Sequence, residues 1–313
     1  MQTLKKGVVL DAKTIGLKAL EPLKELADFS FYETTSQEEV LERAKGAEII
    51  VLNKVVLNKE ILERLNALKL ICITATGMDN VDVKTAQKLG IEVKNVSTYS
   101  TESVAQHTLA CVLSLLGRLN YYDSYCKSGG YSKSETFTHI YGNMGLVKNS
   151  VWGVIGLGNI GKRVASLAQA FGAKVAYSST SQVKRQEDYE EKPLQELLKT
   201  SDIISIHAPL NENTRNLISA KEIEILKDHA ILINMGRGGI VNERDLALAL
   251  QTRDLYYASD VFESEPLKHD HVFLNPSIQN KLLLTPHVAW GYSDSVHALI
   301  EKTKENIQSF ISH

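Results

Sequence analysis

No stretch of this chain of 313 residues is apolar for long enough to cross a bilayer, which takes about 18 consecutive apolar residues. The stretch Met1–Asp11 holds one short apolar run, Gly7–Leu10, of strand length and too short for the core of a signal peptide. Excess charge is also missing. Lys and Arg total 35 against 37 Asp and Glu, a net charge of −2, so no electrostatic footprint for nucleic acid or an anionic membrane surface is expected. Cysteine is scarce. Cys72, Cys111 and Cys126 are too few and too scattered for a disulfide framework, and the apolar runs around Cys72 and Cys111 imply buried free thiols. No short repeat and no low-complexity segment occurs. These absences point to a cytoplasmic protein with no membrane or nucleic-acid partner, and the length allows two domains with cores of their own.

What is present is an alternation of short apolar runs with helical patterns. Gly7–Leu10, Phe29–Tyr32, Glu48–Leu52, Leu70–Thr74 and Ile91–Val96 read as strands, with helical patterns running to about Ala27 and over Gln37–Lys45, Lys59–Leu68 and Asn80–Leu89. Such βα alternation implies an α/β protein with a parallel sheet covered by helices on both faces. Glu102–Leu116 then reads as a helix apolar on most sides, hence buried, with Ser100 as its N-cap. Tyr121–Leu146 is rich in Gly, Ser and Tyr with weak periodicity. A loop this long is usually functional, and its aromatics suggest a dimerisation arm over residues 119–148, with an ordinary surface excursion as the alternative. A second βα series follows, with strands at Lys174–Ser178, Asp202–His207, Ala230–Met235, Tyr257–Val261 and Leu282–Thr285, and a closing amphipathic helix over Tyr292–Phe310. The chain therefore reads as two successive doubly wound units.

The stretch that opens the second series carries the first chemistry. The β-branched run Val151–Ile155 ends in Gly156-x-Gly158-x-x-Gly161, and a helical face of Ile160, Val164, Leu167, Ala168 and Phe171 follows, stopped by Gly172. Strand, glycine turn and helix in that order suit a dinucleotide pyrophosphate: the turn brings backbone close to the phosphates, and the helix N-terminus offers unpaired N–H groups.

Three polar groups follow three later strands: Arg237 in Asn234–Gly239, Glu265 in Asp260–Pro266, and His287 after Leu284–Pro286. Ligands of open α/β sheets bind beyond the carboxyl ends of the strands, so these three side chains are expected to converge. An acid fixes the tautomer of a histidine, and a guanidinium holds a carboxylate bidentately and polarises a neighbouring carbonyl. The set suits a 2-oxo acid facing a hydride donor.

With those residues assembled, the sequence closely resembles the D-2-hydroxyacid dehydrogenase family over nearly its whole length. The matching stretches are Ala75–Asp82, Ser103–Gln106, the glycine turn, Ser205–Leu210, Ile233–Gly238, Asp260–Pro266 and Thr285–His287. The resemblance implies a flavodoxin-like substrate domain, residues 1–99 with 288–313, and a Rossmann dinucleotide-binding domain, residues 100–287, with a cleft between them. By the same resemblance His287 is the general acid, Glu265 orients it, and Arg237 binds the substrate carboxylate and carbonyl. Backbone N–H groups at Thr76–Gly77 meet the same carboxylate, Asp260 holds the nicotinamide carboxamide, and Val104 backs the ring. His207 lies beside the adenosine. Asn159, Ile160, Pro209, Thr214, Met235 and Gly236 complete the expected cofactor site. The Asn80–Val81–Asp82 context, Gln106 and Trp290 resemble the hydroxypyruvate/glyoxylate reductase branch, with Tyr99 and Trp290 able to shape a small pocket.

One departure bears on the cofactor. An acid that would bind the adenosine ribose is expected at the end of the second strand of the unit; the chain has Ser178–Ser179–Thr180 there, followed by Lys184 and Arg185. Hydroxyls and cations tolerate a 2′-phosphate that a carboxylate would repel, so NADP is favoured, with NAD held through the hydroxyls as the alternative. His269 and His271 flank Asp270, but with no third ligand in view no metal is expected. His107 reads as a satisfied core histidine. The alternatives left open are a D-lactate-type dehydrogenase, and a nucleotide-sensing corepressor-like binding protein, which this family also resembles.

Overall fold

The computed structural model describes residues 4–181 and 187–312. The chain forms two compact units, one taking the chain up to Ser100 and resuming at Gly291, the other running Thr101–Trp290.

The first unit is built on a parallel sheet of β1 (Lys6–Val9), β2 (Asp28–Phe31), β3 (Ile49–Leu52), β4 (Leu70–Ile73) and β5 (Glu92–Asn95), in the order β2-β1-β3-β4-β5. Each strand begins within a residue of its expected start. β3 and β4 are buried throughout, because alternate side chains enter different cores. Ile50, Leu52, Ile71 and Ile73 pack with Val40, Ile61 and Leu62, while Ile49, Val51, Leu70 and Cys72 pack with Leu20, Leu23, Ile300 and Ile307. The last two belong to the terminal helix Ser293–Ile311, so the end of the chain supplies part of the second face's cover. The helices of this unit are shorter than their patterns suggest. The segment before Ala27 breaks into Ala12–Thr14, Leu17–Leu20 and Glu21–Glu25, interrupted where Gly16 takes a φ of +102° and Pro22 opens a new turn.

The second unit holds β6 (Val151–Ile155), β7 (Lys174–Ser178), β8 (Glu190–Glu191), β9 (Ile203–Ile206), β10 (Ile231–Asn234), β11 (Tyr256–Ser259) and β12 (Leu282–Leu284), all parallel, in the order β12-β11-β10-β9-β6-β7-β8. The chain starts at β6, builds outward through β7 and β8, then crosses to the other side of β6 with β9. That reversal leaves a crevice at the carboxyl ends of β6 and β9, where such sheets take ligands. Helices Thr101–Leu116 and Asn159–Ala170 pack together and cover one face through Val104, Ala105, Val112, Val164, Ala165 and Ala168.

Three expectations change here. The helix Thr101–Leu116 is not buried all round: Leu113 is exposed. Phe171 is also exposed, because it is the C-cap residue and falls past the buried stripe. The stretch read as a loop from Tyr121 contains a helix, Leu119–Lys127, none of whose residues is buried. Its periodicity is weak because its rings pack on one another rather than on a core. Tyr121 stacks on Tyr141 at 3.9 Å and Tyr125 on His139 at 4.1 Å between ring centroids.

Candidate active site

The glycine turn after β6 has the form that a phosphate cradle needs. Gly156 sits at a φ of +88°, a region costly for other residues. A Cβ on Gly161 would lie 2.2 Å from the Gly156 carbonyl oxygen, whereas one on Gly158 would meet nothing within 4 Å. Gly161 is thus required for helix and turn to touch, and Gly158 leaves its backbone open to an incoming group. Asn159 and Ile160 begin the helix there.

Beside that turn lies a cavity of about 210 Å³ lined by Gly156, Leu157, Gly158, Tyr177, Ser179, Thr180, Ser181, His207, Pro209 and Asn211. Among the described residues both ring nitrogens of His207 are buried without a hydrogen-bond partner, and burial pushes its pKa down to about 3. A neutral imidazole offers one donor and one acceptor, and orphaned buried polar atoms are rare without a functional reason. A polar heterocycle in the cavity would satisfy them, so the residues fit an adenine dinucleotide. Ser178 itself is buried; the three residues after it, Ser179, Thr180 and Ser181, line the cavity. No carboxylate lines it among the described residues. Lys184 and Arg185 lie outside those residues. Thr214 is buried, its hydroxyl donating to Pro209 O at 2.7 Å and accepting from Asn211 N at 2.8 Å, so it shapes the turn that carries Pro209.

β10, β11 and β12 are adjacent, with Asn234 level with Ser259 and Ser259 with Leu284. Their carboxyl ends deliver Arg237, Asp260 with Glu265, and His287 in three neighbouring loops. His287 Nδ1 lies 2.6 Å from Glu265 Oε2, and Glu265 Oε1 accepts the Phe262 N–H at 2.9 Å. A carboxylate accepts, so the Nδ1 proton points to Glu265 and Nε2 is left to face a reactant. His287 holds a φ of +56°, a strained value for a histidine that persists only where the surroundings over-determine it. Here Asp260 does so. It is nearly fully buried, with Oδ1 accepting from Thr285 Oγ1 at 2.6 Å and Val288 N at 2.8 Å, and Oδ2 from Ala289 N at 2.8 Å. Both flanks of His287 are thereby tied to one carboxylate. His107 is half-buried, its Nε2 3.1 Å from Thr285 Oγ1. The threonine proton already goes to Asp260, so His107 donates. Arg237 gives one Nη1–H to Gly236 O at 2.9 Å, and its guanidinium has no further hydrogen bond among the described residues.

Val104 and Met235 are buried in the core under the sheet. A Cβ on Gly236 would approach the Ala208 carbonyl oxygen to 2.6 Å. Trp290 closes the second unit at its boundary. In the first unit, Thr76 Oγ1 donates to Val96 O at 3.2 Å, which ties the loop after β4 to the end of β5. Met78 of that loop is exposed, and Tyr99 follows β5 by four residues.

Sequence reading missed several participants. The roles of Thr285, met in the sequence only as part of a matching stretch, and of Glu243 carried no signal because their partners are 25 and 28 residues away. The His271 side chain is 10% exposed, with Nε2 2.9 Å from Glu243 Oε2. Among the described residues no three His, Cys, Asp or Glu side chains converge as metal ligands.

Comparison with known proteins bears on this geometry. Residues 109–289 match the family model described as D-isomer specific 2-hydroxyacid dehydrogenase, NAD binding domain. Over 98% of this chain and 96% of its own length, a glycerate dehydrogenase of Methylorubrum extorquens is 34% identical. A hydroxypyruvate reductase of Blautia hydrogenotrophica is 30% identical over 97% of this chain and 95% of its own. The solved structure of an acyclic imino acid reductase in complex with NADPH and D-Arg superposes with a TM-score of 0.85 at 28% identity, over 98% of this chain and 97% of that one. A dinucleotide cradle at the switch point of one sheet, a His–Glu pair and an arginine on its next three strands, and these matches agree: the chain belongs to the D-isomer-specific 2-hydroxyacid dehydrogenase family and carries that family's NAD-binding domain.

Proposed function

We propose that this protein reduces a small 2-oxo acid of the hydroxypyruvate/glyoxylate type to the D-2-hydroxy acid, with NADPH preferred over NADH. The observation that carries the reading is the His287–Glu265 pair at 2.6 Å, set beside the loop of Arg237 on a dinucleotide-binding sheet. The second unit is read as the dinucleotide-binding domain and the first as the substrate-binding domain.

The turn at Gly156, Gly158, Asn159, Ile160 and Gly161 holds the pyrophosphate through backbone N–H groups and the start of the helix. His207 and Pro209 meet the adenosine. Val104, Met235, Gly236 and Asp260 border the nicotinamide, Asp260 accepting from its carboxamide. When bound, the reduced nicotinamide supplies the hydride that adds to C2. Arg237 binds the substrate carboxylate as an ion pair and polarises the carbonyl. His287 gives its Nε2 proton to the carbonyl oxygen as negative charge develops there. Glu265, still ionised, holds Nδ1–H throughout, so the ring keeps its orientation. Trp290 is read as a wall that favours a small substituent.

The preference for NADPH is supported by the cavity beside the turn, where Ser179, Thr180 and Ser181 stand and no acid lines the wall among the described residues. The glycerate dehydrogenase and the hydroxypyruvate reductase named above support hydroxypyruvate as the first substrate to test, with glyoxylate as its smaller analogue. A homodimer is supported by the excursion from Leu119, on which Phe137 is 90%, Ile140 73% and Leu146 78% exposed, far more apolar surface than one loop ordinarily shows to water. A cytoplasmic location is the compartment that fits three unpaired cysteines.

The test is kcat/KM for hydroxypyruvate, glyoxylate and pyruvate with each reduced cofactor, in wild type and His287→Ala. Loss of about 10²-fold in kcat is expected of the variant; unchanged turnover overturns the general-acid role. A large NADH advantage overturns the cofactor preference, and a pyruvate advantage replaces the substrate class with a D-lactate one. Absence of turnover with every acid leaves the binding-protein reading in its place.

A further inference from the structure

The dyad does not stand alone. The helix Glu243–Thr252 begins at a charged residue that is almost fully buried: the Glu243 side chain is 6% exposed. Its Oε2 meets His271 Nε2 at 2.9 Å, and its Oε1 accepts the Glu263 N–H at 2.9 Å. His271 Nδ1 accepts the Phe273 N–H at 3.2 Å. That bond places the ring's single proton on Nε2, so the imidazole is neutral and donates to Glu243. Glu265 is built the same way. One of its oxygens takes the N–H of Phe262, and the other takes an imidazole N–H. The two successive amides of Phe262 and Glu263 are therefore clamped by two carboxylates, each backed by a histidine. The same strap bears on the arginine loop: a Cβ on Gly238 would lie 1.9 Å from the Phe262 carbonyl oxygen. The His271 ring stands edge-on to the Phe262 ring at 6.1 Å.

We infer that Glu243, oriented by His271, is a positioning residue for the reaction, acting through the Phe262–Glu263 strap to hold Glu265 in line with His287. The inference rests on the dyad roles proposed above. Glu243 touches neither His287 nor Arg237. Its contribution is to remove one degree of freedom from the segment that presents Glu265. A loosened strap lets the carboxylate rotate off Nδ1, and small misplacements of a proton donor are costly in rate. A buried carboxylate left without one of its N–H partners is also costly, which explains why both oxygens are engaged.

Glu243→Gln keeps the shape and the bond to Glu263. It sets an amide N–H against His271 Nε2–H, two donors relieved only if the ring moves its proton to Nδ1 and gives up the Phe273 N–H, so the side chain that accepts from Glu263 loses its orientation. In the full-length enzyme we expect kcat to fall about 10-fold, with KM for the reduced cofactor unchanged, because the glycine turn lies two strands away on β6. The solvent deuterium isotope effect on kcat is expected to rise as proton delivery becomes limiting. Combined with Glu265→Gln, the second substitution is expected to cost nothing further, the signature of residues that act as a unit. Equal losses in both backgrounds, or a lower melting temperature with kcat and the isotope effect unchanged, overturn the inference, since a first-turn acid that merely supports its helix gives that pattern. Should Glu243→Gln not fold, His271→Gln, which leaves the bond to Glu263 in place, carries the same comparison with a smaller expected loss; additivity there overturns it equally. If Glu265→Gln alone keeps full kcat, the dyad roles themselves fail, a result separable from a Glu243 variant that is silent beside a damaging Glu265→Gln.

Discussion

Acidification is expected to destabilise the second unit through one residue, His207. Both of its nitrogens are shut away from solvent, and burial lowers its pKa from 6.5 to about 3. A base with a depressed folded-state pKa adds nothing above its unfolded value, where both states are neutral. Below that value the unfolded chain binds a proton that the folded chain refuses, so stability falls until the folded value is reached. At 1.36 kcal/mol per pKa unit, the loss from neutrality to about pH 5 is about 2 kcal/mol. The assay is urea unfolding at about pH 7.5 and about pH 5, followed by tryptophan fluorescence, since Trp152 is fully buried in this unit. Comparison with His207→Asn isolates the residue: every other group is common to both proteins, and any packing cost of the substitution is the same at both pH values. The acid-induced loss is expected to be about 2 kcal/mol smaller in the variant. Equal losses in the two proteins refute the claim that the ring is held neutral by burial, and with it the argument that its nitrogens await a ligand.

Two substitutions test the frame of the site. Gly161→Ala forces a methyl to within 2.2 Å of the Gly156 carbonyl; a loss of about 1–3 kcal/mol in unfolding free energy is expected, together with a raised KM for the dinucleotide, and a neutral result in both assays would show that turn and helix can part. Asp260→Asn turns one of three accepting contacts into a clash of donors. A drop in kcat of about 10-fold or more is expected from misplacement of His287, and wild-type kcat would show that the φ of +56° is held by something else.

The strands were legible because parallel strands buried on both faces leave continuous apolar runs, and β3, β4, β9 and β10 are buried at every position. Helices of the first unit were overestimated for a related reason. An apolar face can be formed by two or three separate turns, as around Gly16 and Pro22, without one helix carrying it. β8 escaped notice because two glutamates pairing at a sheet edge have no apolar signature. The helix Leu119–Lys127 escaped because periodicity reports burial against a core, and this helix satisfies its rings through His139 and Tyr141 instead.

The candidate site divides along a similar line. Arg237, Glu265 and His287 were legible because each sits a few residues past an apolar run, and the order of a doubly wound sheet brings such positions to one edge. What holds them was not legible. Asp260 has, beside the role expected of it toward the cofactor, three accepted bonds that fix the backbone around His287, and no sequence pattern shows them. His107 was assigned to the core, yet it donates into the same network. Glu243 drew no attention, since a Glu in the first turn of a helix is ordinary, and only burial and a partner 28 residues away set it apart. A reactive side chain must meet a substrate, so its place is constrained by sheet topology, which a sequence pattern reveals. A supporting side chain must meet another side chain, and that pairing depends on where two loops cross in space. A sequence of this architecture therefore displays the groups that would do chemistry well before it displays the groups that aim them, and the aiming groups are where substitutions distant from the reacting atoms should prove most damaging.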